Sequence, residues 1–347
     1  MTICGIGRLR RIVRPVENLF APRAIILLYH RVAELQSDPL LLAVTPRHFA
    51  EHLEVLRQRC SPIALGALKK SLTAGKRLRK PAVVTFDDGY ADNLVNAKPL
   101  LERYEVPATV FVTTGYVAQD RSFWWDELES LLLGPQRLPE TLRLCIAGAS
   151  FEWQLRPCAA DNHVVSAQSR WNILQPESAT PRQLVYRSLH QLLRPLSEQA
   201  RRSVLDELCR WADRSVIDGG HSAPLSNDGV VRLASGGLVE IGAHTVTHPI
   251  LSAMSADAQF AEIHRSKIHL EEILGSPVAS FAYPFGSRSD YTEETVAATR
   301  RAGYRRACSN FPGLVEPDID TFQLPRFLVR DCDGEEFSRR LSDWLSS

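Results

Sequence analysis

The stretch Thr85-Phe86-Asp87-Asp88-Gly89-Tyr90 decides how this chain is read. The run that leads into it, Pro81 to Phe86 (PAVVTF), is apolar and β-branched, the composition of a strand buried on both faces. It stops at two adjacent carboxylates and a glycine. Asp-Asp-Gly is ordinary turn chemistry. Yet two carboxylates side by side at a strand end repel each other unless something offsets their charge. A bound cation does so, and leaves the second carboxylate free to act as a base.

On the N-terminal side lies Ala24 to Tyr29 (AIILLY), a second buried-type strand, followed at once by His30-Arg31-Val32. Read locally, His30 merely caps a strand, although α/β folds place their chemistry at such carboxyl ends. Between the two strands, Thr45 as N-cap and Pro46 at the first helical position open a helix through Phe49, Leu53 and Leu56. A shorter helix covers residues 64–74, and Gly75 to Lys80 (GKRLRK) is a basic loop. Beyond Tyr90 a helix over 94–104 and a strand from Ala108 to Thr113 (ATVFVT) complete a β-α-β-α-β alternation. That alternation points to a parallel sheet with outer helices.

From residue 119 to 228 the pattern changes. Phe123-Trp124-Trp125-Asp126-Glu127-Leu128 is aromatic and then helical, 142–155 alternates like a hairpin, and 181–214 carries two amphipathic helices. We expect an inserted helical lid or subdomain here. Trp124 and Trp125 are candidates for stacking on a sugar face, with a plain core role as the alternative. The α/β pattern resumes at Leu238 to Ala243 (LVEIGA), which ends in His244-Thr245-Val246-Thr247-His248-Pro249. A helix capped by Ser255 and Gly275 follows. Its His264 and His269 are five apart and do not share a face. A strand over 278–283 runs into Tyr283-Pro284-Phe285-Gly286. A helix over 294–302, strands at 305–308 and 324–327, and a terminal helix over 333–345 close the chain. The expected organisation is a basic arm over 1–23, a barrel over 24–118 and 229–347, and the insertion over 119–228.

Composition narrows the class. The 347 residues are 44% hydrophobic and 23% charged, with a net charge of +1. That is an ordinary globular composition with no electrostatic case for nucleic acid. The seven cysteines are an odd number, scattered and without a CxxC, which fits a reducing compartment rather than a disulfide framework or a cysteine metal site. Arg8, Arg10, Arg11 and Arg14 are followed by no apolar stretch of signal-peptide length, and no run of about 18 apolar residues occurs. The expectation is a cytoplasmic protein without a membrane span. At most, its basic N-terminus makes weak contact with an anionic membrane surface.

Two histidines four apart, directly after a buried strand, can point at one cation as neutral imidazoles. With one carboxylate from Asp87-Asp88 they make a facial set with open positions, which suits zinc, iron, cobalt or nickel. HxxxH alone is a weak pattern. Paired with TFDDG, each at the end of a buried strand, it is far more specific.

These residues resemble a known family. TFDDG at Thr85 to Gly89 and H-T-x-x-H at His244 to His248 are similar to the first two motifs of the polysaccharide deacetylases, the NodB-homology group of carbohydrate esterase family 4. The resemblance covers about 24–118 and 229–330. It implies a distorted (β/α)7-type barrel, one catalytic divalent metal ion, zinc before nickel, cobalt or iron, and hydrolysis of N-acetyl groups on an amino-sugar glycan or glycan precursor. By the same resemblance Asp88, His244 and His248 hold the metal and Asp87 is the catalytic base. Phe281 to Gly286 resembles the third motif, which lines the groove, so Tyr283, Pro284 and Phe285 become substrate contacts. The backbone N–H of Phe285 would help hold the oxyanion.

Two departures stand out. The third motif usually has an arginine, which orients the aspartate, where this chain has Ala282; Arg326 is the expected substitute from another strand. The late Leu-x-His motif that supplies the general acid is not visible. Tyr29-His30 resembles the early Tyr-His motif of a subgroup that includes exopolysaccharide deacetylases, so His30, protonated, is the expected acid. Two further readings stay open: a metal-dependent deformylase or amidohydrolase on a non-polymeric substrate, and a catalytically inactive carbohydrate-binding protein. The missing motif arginine favours the latter. The second aspartate beside the metal position counts against it, since binding alone does not need it.

Overall fold

A computed structural model describes residues 23–73, 80–117, 119, 121–134, 137–155, 171–176, 180–214 and 222–347. Residues 1–22, 74–79 and 215–221 are among those outside them, and with them all but the last residue of the expected basic arm and all but Lys80 of the expected basic loop Gly75 to Lys80. The strands, in chain order, are β1 (Ile25–Tyr29), β2 (Arg31–Val32), β3 (Ala43–Val44), β4 (Ser61–Pro62), β5 (Pro81–Phe86), β6 (Ala108–Val112), β7 (Thr141–Ile146), β8 (Ala149–Gln154), β9 (Val239–Ala243), β10 (Ser280–Ala282), β11 (Arg306–Cys308) and β12 (Phe327–Leu328).

The main sheet runs β11-β10-β9-β6-β5-β1-β12, with β4 beside the start of β5. Every pairing in it is parallel. The strands β1, β5 and β6 are buried along their whole length, which is why they read as continuous apolar runs. A parallel bridge from Cys308 to Leu324 ties β11 to the residues leading into β12. The sheet thus curls back on itself, as the distorted barrel expected from the motifs requires. Register sets the chemistry at one end. Tyr29 lies opposite Phe86, Phe86 opposite Val110, and Val112 opposite Ala243, so His30, Asp87 and His244 leave their strands within two residues of one level.

Most of the helices sit where the capping signals place them. Thr45 accepts a hydrogen bond from the His48 N–H at the start of Pro46–Arg59, and Gly275 ends Ala256–Leu274 at φ 63°. The helix expected over 94–104 is different: a π-type turn over Asn93–Ala97 hands over to an α-helix at Lys98–Tyr104. Pro99 lacks the N–H that a regular helix would need there. The barrel strands and their helices share one core that includes Leu27, Val84, Val110, Ile241 and Phe281. A second core gathers Phe123, Trp124, Leu128, Leu142, Tyr186, Leu189, Leu205 and Leu208 around Tyr90 and Tyr116. The helices Trp124–Leu133, Pro181–Leu193 and Glu198–Trp211 bury their apolar stripes in it. Among the described residues no helix is long and apolar enough to cross a membrane, and the five cysteines are free thiols.

Candidate active site

Three strand ends and two loops build the site. After β5, Asp87 continues the strand direction and Asp88 turns with φ 73°. Gly89 follows at φ 87°, where a Cβ would lie 3.1–3.2 Å from Val112, so glycine is required. After β9 come His244, Thr245 at φ 67° and His248 at φ 55°. Backbone in this region costs free energy in a non-glycine residue and persists only where its surroundings over-determine it. Here they do. Glu262 accepts hydrogen bonds from the Val246 and Thr247 N–H groups at 2.9 Å each and from the Thr247 hydroxyl at 3.0 Å. The N–H groups of Thr114 and Gly115 donate to the Thr245 and Val246 carbonyls at 3.1 and 2.7 Å.

The two aspartates have opposite surroundings. Asp87 is gripped by Arg326, Nη1 to Oδ1 and Nη2 to Oδ2, at 2.7 Å each. Arg326 also donates from Nε to the Ser309 carbonyl at 2.7 Å and from Nη1 to the Thr85 hydroxyl at 3.2 Å. Burial alone would push the Asp87 carboxyl up; the Arg326 guanidinium, with His244 beside it, reverses this and holds it below the usual carboxylate range. Asp88 has no such partner. Burial, and then the Asp87 charge, push it well above that range. Two carboxylates driven apart in this way are suited to two different tasks.

The imidazoles complete the set. The Ala282 carbonyl can only accept, so the 2.8 Å bond from His244 Nδ1 puts the proton there and leaves the Nε2 lone pair free. That Nε2 lies 3.7 Å from Asp88 Oδ1, and His248 Nε2 lies 3.4 Å from the same oxygen. Burial lowers both imidazoles below the ordinary histidine range, His248 furthest because His244 is also close. Both are therefore neutral at neutral pH. Asp88 Oδ1 is buried with no hydrogen-bond partner among the described residues. Its ligand atoms and those of His244 and His248 all lie within 4.8 Å of one another. Ligands about 2.1 Å from one ion at tetrahedral to right-angled spacing lie about 3–3.5 Å apart. The Asp88–His248 separation of 3.4 Å falls in that span and the Asp88–His244 separation of 3.7 Å lies just beyond it, so with a small closure the three could hold a single divalent cation.

A cavity of about 410 Å³ opens over this group, lined among others by His30, Asp87, Asp88, Trp125, His244, His248 and Phe285. His30 stands where the sequence expects it, but not in the expected charge state. Burial pushes it down to about 4 against the pull of Asp87, with Arg326 and His244 adding to the shift, so the resting imidazole is neutral. Trp125 forms part of the wall, its ring 4.9 Å from that of His248 and its Nε1–H donating to the Tyr90 hydroxyl at 2.7 Å. Phe285 sits at φ 59° with its ring 4.7 Å from His248.

Three expected substrate contacts are placed elsewhere. Trp124 is fully buried in the second core against His190 and beneath Arg201, so it does not face the cavity. Tyr283 is fully buried, stacked on Tyr291 and donating to the Phe322 carbonyl at 2.9 Å. Pro284 is buried and is not among the residues that line the cavity. Conversely, His190 and Arg194 from the helical segment, with Ser287, Asp290 and Asn310, line the cavity without having been singled out. Asp290 carried a weak signal, as an Asp closing a polar turn just after the third motif. The others carried none.

Comparison with known proteins agrees with this geometry. The polysaccharide deacetylase family matches residues 74–151 and 209–307, just over half of the chain. A stretch of 110 residues is 27% identical to YxkH of Bacillus subtilis (strain 168), whose name assigns it to the polysaccharide deacetylases; the match spans 32% of this chain and 38% of that relative's length. Among solved structures, the Streptococcus pyogenes deacetylase PplD in complex with acetate is 18% identical, covers 91% of this chain and 97% of its own, and superposes with a TM-score of 0.54. IcaB from Ammonifex degensii is likewise 18% identical, with 94% and 98% covered and a TM-score of 0.54. At such identities these two likenesses speak for the fold. On the match to more than half of its length, the chain belongs to the polysaccharide deacetylase family.

Proposed function

We propose that this chain is a divalent-metal-dependent hydrolase that removes N-acetyl groups from an amino-sugar glycan or glycan precursor. The observation that carries the reading is one juxtaposition: an ionised Asp87, held by Arg326, beside an Asp88 whose Oδ1 is buried without a hydrogen-bond partner and two neutral histidines close enough to share one cation. In this reading Asp88, His244 and His248 hold the ion, zinc before nickel, cobalt or iron. When bound there, a divalent cation supplies Lewis-acid polarisation of an acyl carbonyl and eases the ionisation of water.

The remaining steps belong to the chain's own residues. Asp87 takes a proton from the attacking water, with Arg326 fixing its orientation. The water oxygen bonds to the acyl carbon, the carbon–nitrogen bond breaks, and the amine nitrogen gains a proton. The backbone N–H of Phe285 holds the oxyanion. His30 stands as the donor to the amine. Because it is neutral at rest, His30 would first receive the proton that Asp87 took from the attacking water and then pass it to the amine, so both side chains end the cycle as they began. The products are acetate and a free amino sugar, and the S. pyogenes neighbour is itself described in complex with acetate.

A cavity of about 410 Å³ is in the range that takes a small ligand. We read residues 119–228 as an insertion in the barrel, whose Trp125, His190 and Arg194 wall one side of that cavity. The contact of Arg326 with Asp87 supports a catalytic over a purely binding role, since it gives Asp87 the guanidinium that the third motif here lacks. The test is acetate release from N-acetylated glycans and lipid-linked sugars. Asp87→Asn and His244→Ala should each abolish it; unchanged release in either variant would refute the reading.

A further inference from the structure

Arg194 is the first residue after the helix Pro181–Leu193, far in sequence from the motifs. Its Nη2 donates to Asp290 Oδ1 at 2.9 Å. Asp290 is almost wholly buried. Its other oxygen accepts the Ser287 N–H at 2.9 Å, and its own N–H donates to the Ser287 carbonyl at 3.1 Å. Asp290 therefore closes the turn that follows Phe285. The Arg194 guanidinium also lies 4.1 Å over the Phe285 ring, and that ring meets His248 edge to face at 4.7 Å. Phe285 is in the left-handed region at φ 59°, a conformation that needs neighbours to hold it.

We propose that Arg194 is a positioning residue, which fixes the Phe285 turn from the helical segment and so sets the backbone N–H that meets the oxyanion. The inference rests on the deacetylase reading above for the role of that N–H. The physical case is local. About a third of the Arg194 side chain is exposed, and an ion pair of that kind adds little to global stability. Its two contacts converge on one strained turn, at Phe285 and at Asp290, so the effect of losing them is confined there. Displacing an oxyanion donor weakens the transition state more than the bound substrate, which lowers kcat and leaves KM nearly unchanged.

The test uses the full chain with Arg194→Met and Arg194→Lys. In Arg194→Met the amides of residues 285–290 should exchange with deuterium about tenfold faster. The denaturation midpoint should stay put, and kcat for acetate release should fall about tenfold or more with KM within about twofold. Arg194→Lys, which keeps a cation within reach of Asp290, should recover most of the exchange protection. Unchanged exchange over 285–290, faster exchange spread evenly over the barrel, or faster exchange with kcat unmoved each overturns the proposal. So does a raised KM at constant kcat, which would make Arg194 a substrate contact. If the wild-type chain releases no acetate, the deacetylase reading has failed, while the exchange result still decides whether Arg194 holds the turn.

Discussion

Arg326 and Asp87 stand 239 positions apart in sequence and meet through two parallel contacts of 2.7 Å, with both side chains buried. This bidentate pair is the charge balance of the site. It spares Asp87 the cost of sitting ionised beside Asp88, and it fixes the plane of the carboxylate that we assign as base. Removing one partner of a buried pair leaves an uncompensated charge, at a cost of about 3–5 kcal/mol. Arg326→Ala should therefore lower unfolding free energy by that amount in denaturant titrations and reduce acetate release by about a hundredfold or more. Arg326→Lys should regain only part of both, because an ammonium cannot reproduce the fork.

Glu262 shows how the histidine pair is held. It binds the backbone between His244 and His248 and touches neither imidazole. Supporting groups of this kind are typically worth about 10–100-fold in metal affinity. Glu262→Ala should weaken divalent-ion binding in calorimetry by about tenfold while far-ultraviolet circular dichroism stays unchanged.

A subtler dependence lies at Gly115. A methyl group there would overlap the Val246 carbonyl oxygen, a backbone atom that cannot swing aside. Gly115→Ala should cost about 1–3 kcal/mol and weaken metal binding, whereas Ala at Gly148, with open space around it, should leave metal binding unchanged.

The barrel was legible because its strands are buried on both faces and therefore announce themselves as unbroken apolar runs. Their carboxyl ends were legible because Asp, His and Gly interrupt those runs abruptly. One carboxylate of Asp87-Asp88 could thus be grouped with His244 and His248, the family resemblance pointed to Asp88, and the three are found together. Arg326 could be named only as a candidate, since nothing local says which strand end a buried arginine will reach. Trp124 and Trp125 are neighbours in sequence with different fates: consecutive residues on a helix point about 100° apart, and only Trp125 faces the cavity. Tyr283 read as a wall residue because Phe281 to Gly286 resembles the groove-lining third motif, but its hydroxyl finds the Phe322 carbonyl inside the core. Arg194, Glu262 and Gly115 act through tertiary contacts with no local signature, so no pattern in their own neighbourhoods marks them.

His52 gives a pH signature away from the site. Its Nε2–H donates to the Cys332 carbonyl at 2.8 Å, and its ring stacks on Phe337 at 4.1 Å. Burial pushes it down to about 4, against the Cys332 carbonyl bond, which favours the charged form. An unfolded histidine titrates near 6.5. Between those values the unfolded chain binds more protons, so this group's contribution to stability is complete above about pH 6.5 and is lost as pH falls toward 4. Asp126, pushed by burial up to about 7, acts in the opposite sense. The effect is therefore read as a difference: the stability of wild type relative to His52→Gln should decline by up to about 3 kcal/mol from pH 7 to pH 4. A flat difference across that range would contradict the assignment.

The central claim is that Asp88, His244 and His248 hold one catalytic cation beside Asp87. It is tested most directly by acetate release from an N-acetylated amino-sugar substrate, using chelator-stripped protein titrated with a divalent ion. The account predicts no release from the stripped chain and a rise that saturates at one ion per chain. Release that is indifferent to the chelator, or none at full occupancy from any N-acetylated glycan, would contradict it.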